Sequence, residues 1–140
     1  MTGLKMRNPK PRKDTEIKIL LVDRDQKFLE RTKALWESRA EWTTVETTTN
    51  PEEALEKIRN ANHDAIVAGY VLSGMTGLEL LETIRERGGS TPFVVLTGAG
   101  SEEIASKALN LEADRYITKD IDPETQFEGI MNAIFDRPIE

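Results

Sequence analysis

Asp64-Ala-Ile-Val-Ala-Gly-Tyr-Val-Leu-Ser-Gly-Met-Thr-Gly-Leu-Glu-Leu-Leu81 is the stretch from which the fold can be read. Ala65 to Ala68 form a short apolar run with no polar alternation, which predicts a strand buried on both faces. Gly69 to Gly74 supply the turn that ends it. From about Thr76 the apolar residues Leu78, Leu81 and Ile84 recur at helical spacing, and Gly88-Gly89 stops that helix. Buried strand, turn and amphipathic helix together make half of a βαβ unit. In an open sheet of such units, ligands and chemistry sit at the carboxyl ends of the strands. Here that position holds Gly69, which has no side chain.

Moving toward the N-terminus, Ile17-Lys-Ile-Leu-Leu-Val22 is a second buried-strand run, closed by Asp23-Arg24-Asp25. Phe28, Thr32, Leu35 and Trp36 fall at i, i+4, i+7 and i+8, so a helix over 26–39 turns that face inward, with Asp25 as its N-cap. Trp42 to Thr49 alternates and is β-branched, which predicts a strand near a sheet edge. Asn50-Pro-Glu-Glu53 has the form of a helix start: a cap, a proline at the first position and two acids facing the positive dipole end. Ala54, Leu55 and Ile58 make the buried stripe, and Asn60 to His63 close it.

Toward the C-terminus, Thr91-Pro-Phe-Val-Val-Leu96 is a fourth strand, followed by Thr97-Gly-Ala-Gly100. Ser101 is the expected cap of a helix carrying Ile104, Ala105, Ala108 and Leu109 inward. Arg115-Tyr-Ile-Thr118 is a brief fifth strand ending at Lys119. Asp122 opens a last helix with Phe127, Ile130, Met131 and Ile134 apolar, and Pro138 stops it. Five strands alternating with five helices predict an α/β fold, a flavodoxin-like doubly wound parallel sheet in the order 2-1-3-4-5. That order brings Asp23, Arg24, Asp25, Gly69, Thr97 and Lys119 to one end of the sheet.

A chain of 140 residues suits one domain, and 38% hydrophobic with 31% charged content suits a globular one. With no cysteine, disulfides and thiol catalysis are excluded, and a cytoplasmic setting is expected. No apolar run reaches the roughly 20 residues that span a bilayer, and the start lacks a signal-peptide segment. Residues 1–16 hold five Lys/Arg against two acids, a net of +3, which leaves −9 of the overall −6 for the rest. Residues 1–15, with Pro9 and Pro11, are expected to form a flexible basic tail or linker, and 16–138 the domain. The acidic body argues against nucleic-acid binding.

Other candidate chemistry is thin. His63 is the single histidine and has no partner at metal-ligand spacing. Thr97-Gly-Ala-Gly-Ser101 follows a strand, but Glu103 occupies the place of a third glycine and no P-loop lysine follows, so no nucleotide loop is read there. Trp36 and Trp42 are read as core or rim packing.

The segments Ile-Leu-Leu-Val-Asp23-Arg24-Asp25-Gln, Gly69-Tyr-Val-Leu-Ser-Gly-Met-Thr-Gly-Leu-Glu-Leu-Leu, Pro-Phe-Val-Val-Leu-Thr97-Gly and Ala-Asp-Arg-Tyr116-Ile-Thr-Lys119 together resemble a response-regulator receiver domain of two-component signalling, over about residues 16–136. The run Lys119-Asp-Ile-Asp-Pro-Glu-Thr-Gln-Phe127 is similar to receiver modules of archaeal signalling proteins. The resemblance implies an acidic pair after the first strand that holds Mg²⁺, and an aspartate ending the third strand that takes a phosphoryl group from a histidine kinase. A hydroxyl ending the fourth strand and a lysine ending the fifth contact that group. Asp23 matches the first acid, Thr97 the hydroxyl, Lys119 the lysine and Tyr116 the aromatic switch. Gly69 stands where the acceptor belongs, Arg24 where the second acid belongs, and Asp120 where a proline is common.

These departures imply a phosphorelay receiver that is not phosphorylated and does not hold Mg²⁺, with Asp23 and Asp25 the weak remaining metal candidates. It would act by protein–protein contact, with a histidine kinase or output domain among the possible partners. Its expected surface is the fourth helix, fifth strand and fifth helix, including Lys107, Asn110, Glu112, Arg115 and Glu128, where a homodimer could form. No enzymatic activity and no membrane contact are expected. With no phosphoaspartate to serve, Lys119 is expected to pair with Asp23 as a structural ion pair. The competing reading is an anion site formed by Arg24, Thr97 and Lys119, within the wider alternative of a small-ligand or enzymatic flavodoxin-like domain.

Overall fold

Each apolar run forms a strand and each helical stripe a helix, in strict alternation. They are β1 (Ile17–Val22), α1 (Gln26–Arg39), β2 (Thr43–Thr48), α2 (Pro51–Asn60), β3 (Ala65–Ala68), α3 (Gly77–Glu86), β4 (Phe93–Thr97), α4 (Glu102–Asn110), β5 (Arg115–Thr118) and α5 (Pro123–Phe135). The computed structural model describes residues 16–98 and 102–135; the expected tail at 1–15, Ser101 and Pro138 lie outside them. All strand pairings are parallel, in the order β2-β1-β3-β4-β5. This is the flavodoxin-like order expected from the alternation.

The period of two in the strands divides the core into two layers. Ile19, Leu21, Val67, Val94 and Leu96 face Leu29 and Trp36 of α1 and Phe127, Ile130 and Met131 of α5. Leu20, Val22, Ile66, Phe93 and Val95 face Ala54 of α2, Leu80, Leu81 and Ile84 of α3, and Ala108 of α4. A fully buried Leu, Ile or Phe contributes on the order of 1.5–3 kcal/mol, so these two layers hold the sheet between them.

The helix starts follow the expected chemistry. Asp25 accepts from the N–H groups of Lys27 and Phe28, and Asn50 from those of Glu52 and Glu53, with Pro51 in the first turn. Thr76 and Glu79 form a reciprocal capping box at α3. Gly88, at φ +86°, supplies the left-handed residue after that helix.

Two residues expected to face inward do not. Leu35 is 38% exposed, and Leu29 takes its place against the sheet. With Trp36 packed against Phe127, α1 is rotated so that Phe28, Leu29, Thr32 and Trp36 line the core and Leu35 lies about 100° off it. On α4, Leu109 is 58% exposed, because Ala108 occupies the buried centre of that face. Trp42 and Thr49 flank β2 rather than belong to it, and β4 begins at Phe93 rather than Thr91.

Candidate functional site

The carboxyl ends of β1, β3, β4 and β5 converge because parallel register aligns them: Val22 lies beside Ala68 and Thr97 beside Thr118. The residues just past those ends are Asp23, Gly69 and Lys119, with Thr97 the last residue of β4. Gly69 donates its N–H to the Val22 carbonyl at 2.9 Å, which fixes its height on the sheet.

Asp23 is the centre of the site. It is buried, and its Oδ1 accepts from the Asp25 N–H at 2.9 Å while its Oδ2 lies 2.9 Å from the Lys119 ammonium. A Cβ added at Gly69 would stand 2.6 Å from that same Oδ2 and 3.3 Å from Asp23 Cγ. The Asp23 carboxylate therefore occupies the space that the first atom of any side chain at 69 would need. Gly77 closes the site from behind, since a Cβ there would meet the Gly69 carbonyl oxygen at 2.1 Å. The strand end and the start of α3 approach this closely only because residue 77 is glycine.

Lys119 is held from several directions. Its backbone N–H donates to the Thr97 carbonyl at 2.9 Å, and its ammonium sits 3.9 Å from the centre of the Phe28 ring. An ammonium over an aromatic face is attracted to the ring's negative quadrupole. The buried amide of Gln126 donates to the carbonyls of Lys119 at 3.2 Å and Ile121 at 2.7 Å, bracing the loop after β5. Phe28 and Gln126 belong to the site, yet periodicity alone reads both as ordinary helix residues. The signal for Phe28 was its place one turn into the helix capped by Asp25. For Gln126 it was a polar residue in an apolar stripe.

The remaining expected site residues sit as follows. Thr97 is buried at the end of β4. Arg24 is exposed and makes no hydrogen bond or ion pair with Asp23, Thr97 or Lys119. Asp25 serves its cap, with Oδ1 accepting from Lys27 and Phe28 at 3.1 Å each. Tyr116 is half-buried and packs against the α2–α4 layer of the core. Asp120 follows Lys119 through a trans peptide and accepts from the Thr118 hydroxyl. On the surface of α4, β5 and α5, Lys107, Asn110, Glu112 and Arg115 are exposed, while Glu128 is half-buried. Lys107 lies 3.9 Å from Glu103.

Elsewhere, His63 is held at Nε2 by Glu46 at 2.8 Å, with Lys57 on the other Glu46 oxygen at 2.9 Å. The hydrogen bonds from His63 and Lys57 keep the Glu46 carboxyl below its ordinary value. This packing network joins β2, α2 and the α2–β3 loop. Among the described residues no three His, Cys, Asp or Glu side chains gather as a metal cluster, and no helix is long and apolar enough to cross a membrane.

Residues 19–130 match the family model of the response regulator receiver domain. The nitrate/nitrite response regulator protein NarL of Escherichia coli is 31% identical over 115 residues, covering 82% of this chain and 53% of that protein. The acid tolerance regulatory protein ActR of Rhizobium meliloti is 33% identical over 122 residues, 87% of this chain and 60% of its own length. This chain thus spans about half the length of the curated relatives it matches. Among solved structures, a CheY-like response regulator receiver domain protein from Methanospirillum hungatei superposes with a TM-score of 0.78 at 32% identity, covering 87% of this chain and 96% of that one. The matched segment runs from the middle of β1 into α5 and includes Asp23, Gly69, Thr97 and Lys119, so the chain belongs to the response regulator receiver domain family.

Proposed function

We propose that this chain is a receiver module of a two-component signalling protein that works without phosphorylation at the end of β3, through contact with a protein partner. The observation that carries this reading is the Asp23 carboxylate lying in the space a side chain at Gly69 would need, paired with Lys119. A phosphoryl acceptor requires a carboxylate at that strand end, and the chain offers none. The residues also do not fit a divalent cation. Among the described residues Asp23 is the single buried carboxylate, one of its oxygens is neutralised by Lys119, and the neighbouring Arg24 is cationic. Mg²⁺ favours carboxylates that keep their full charge.

The site is then a closed ion pair, and the working surface lies elsewhere. The face of α4, β5 and α5 is the proposed contact region, with Lys107, Arg115 and the half-buried Tyr116 on or beside it, and Leu109 exposed there at 58%. A kinase, an output domain or a second copy are the classes of partner such a face would serve. A cytoplasmic setting is part of the same proposal. The anion-site reading is not favoured, because Lys119 is committed to Asp23 and Arg24 stands apart.

Intact-mass measurement after incubation with a small-molecule phosphodonor and Mg²⁺ tests the proposal. No mass increase of one phosphoryl group is expected. A stable, Mg²⁺-dependent adduct would overturn it.

A further inference from the structure

At the centre of the β2 edge of the sheet, the outward backbone groups of Val45 are covered by side chains of α1. The carbonyls of Trp42 and Thr48 accept from the N–H groups of Ile17 at 2.9 Å and Asp23 at 3.2 Å. Even-numbered residues of this strand therefore face β1, and Thr43, Val45 and Thr47 turn their backbone groups away from it. Both groups of Val45 are occupied: its N–H donates to Glu37 Oε2 at 2.8 Å, and its carbonyl accepts from Lys33 Nζ at 2.6 Å. Lys33 and Glu37 are also paired with each other at 2.8 Å, one helical turn apart. The Thr43 N–H is taken by the Ala40 carbonyl at 3.0 Å. One donor and one acceptor on α1 thus present to Val45 what a neighbouring strand would present.

The strand beneath this pair is one that would otherwise self-associate. Thr43-Thr-Val-Glu-Thr-Thr48 is rich in β-branched residues and has no proline. Its one charge, Glu46, is paired with Lys57 at 2.9 Å and hydrogen-bonded to His63 at 2.8 Å. Antiparallel pairing of two copies centred on Val45 would set Thr43 opposite Thr47 and Glu46 opposite Thr44, so no like charges would face each other. Lys33 and Glu37 are each about a third or more exposed, at 43% and 32%, so they lie over the edge rather than inside the core.

We propose that the Lys33–Glu37 pair is a guard holding shut a strand-pairing surface whose occupant is β2 of a second copy of this chain. Exposed edges of this kind are protected in stable sheet proteins because unpaired N–H and C=O rows recruit other strands. The guard lies away from the strand-end site, so its failure would leave the proposed function standing.

Light scattering over a concentration series, with hydrogen exchange at the Val45 amide, tests this on the full chain, E37L, E37Q and the double variant K33M/E37L. In dilute solution the Val45 amide should exchange on the order of tenfold faster in E37L than in the wild type, as expected for a lost charge-assisted hydrogen bond. E37Q keeps an acceptor and should stay slow and monomeric. K33M/E37L should form dimers or larger species as concentration rises, with Val45 becoming protected again. A folded double variant that scatters like the wild type throughout overturns the proposal. If the double variant does not fold, equal Val45 exchange in wild type, E37L and E37Q overturns it.

Discussion

Gly69→Ala is a small change with a calculable consequence. The new methyl would stand 2.6 Å from Asp23 Oδ2, and ordinary contact begins at 3.4 Å, so the carboxylate must retreat by about 0.8 Å. It cannot do so freely, because Asp23 is 3% exposed and tied to both Lys119 and the Asp25 N–H. Moving it stretches a pair now at 2.9 Å beyond hydrogen-bond range. Overpacking of this kind costs roughly 1–3 kcal/mol. An opposing effect is the smaller entropy of the unfolded chain, which stabilises Ala over Gly by about 0.4–1 kcal/mol where the backbone permits it. Gly69 is not in the left-handed region, so the backbone does permit it. The net expectation is a loss of between about 0 and 2.5 kcal/mol, read by urea denaturation.

The second half of the test reverses the sign. In an Asp23→Ala background the obstructing oxygen is gone, and the nearest remaining atom, the Leu96 carbonyl oxygen, is at an ordinary 3.7 Å. Gly69→Ala should then stabilise by about 0.4–1 kcal/mol. A double-mutant cycle should therefore return a coupling of about 1 kcal/mol or more. Additive effects in this cycle would refute the claim that Asp23 fills the place of the missing side chain.

Arg85 donates to the carbonyls of Gly89, Thr91 and Glu112 at 3.2, 2.9 and 3.0 Å, joining the end of α3 to the turn before β5. Arg85→Met should cost about 2–3 kcal/mol and raise hydrogen exchange most at residues 111–114; a uniform loss below about 0.5 kcal/mol would contradict that role. Stability should also fall in acid. Hydrogen bonds from His63 and Lys57 hold the Glu46 carboxyl below its ordinary 4.5. At Glu37, burial acts upward, but Lys33 and the Val45 N–H outweigh it and the carboxyl is again lowered from 4.5. A lowered carboxyl contributes stability that is present above its unfolded-state value and lost as pH falls through the folded one. The urea midpoint should therefore drop below about pH 4.5, and the Glu37→Gln, Glu46→Gln double variant should drop less steeply. Parallel pH curves would rule this out.

The order of the elements and the layers they form were legible in the sequence because both follow from local rules. Apolar runs without alternation become two-sided strands, and caps such as Asp25, Asn50 and Thr76 set the helix starts within a residue. Helix rotation was less legible. Leu35 and Leu109 fit the inward periodicity, but the orientation is fixed by contacts between distant elements, such as Trp36 against Phe127.

At the strand ends, the sequence by itself determined which residue types meet and which are missing: an aspartate, a threonine, a lysine and, at 69, no side chain. The Lys119–Asp23 pair was the expected one. Only the tertiary structure decided the rest: it set the Asp23 carboxylate into the space beside Gly69, placed the Lys119 ammonium over Phe28, and left Arg24 outside. It also laid Lys33 and Glu37 on the backbone of Val45, a contact invisible in the sequence because it joins a helix side chain to a strand's main chain. The physical reason is the same in both places. Residue type and spacing fix local conformation, whereas a charge or a hydrogen-bonding group takes whichever partner the packing of remote segments brings within about 3 Å.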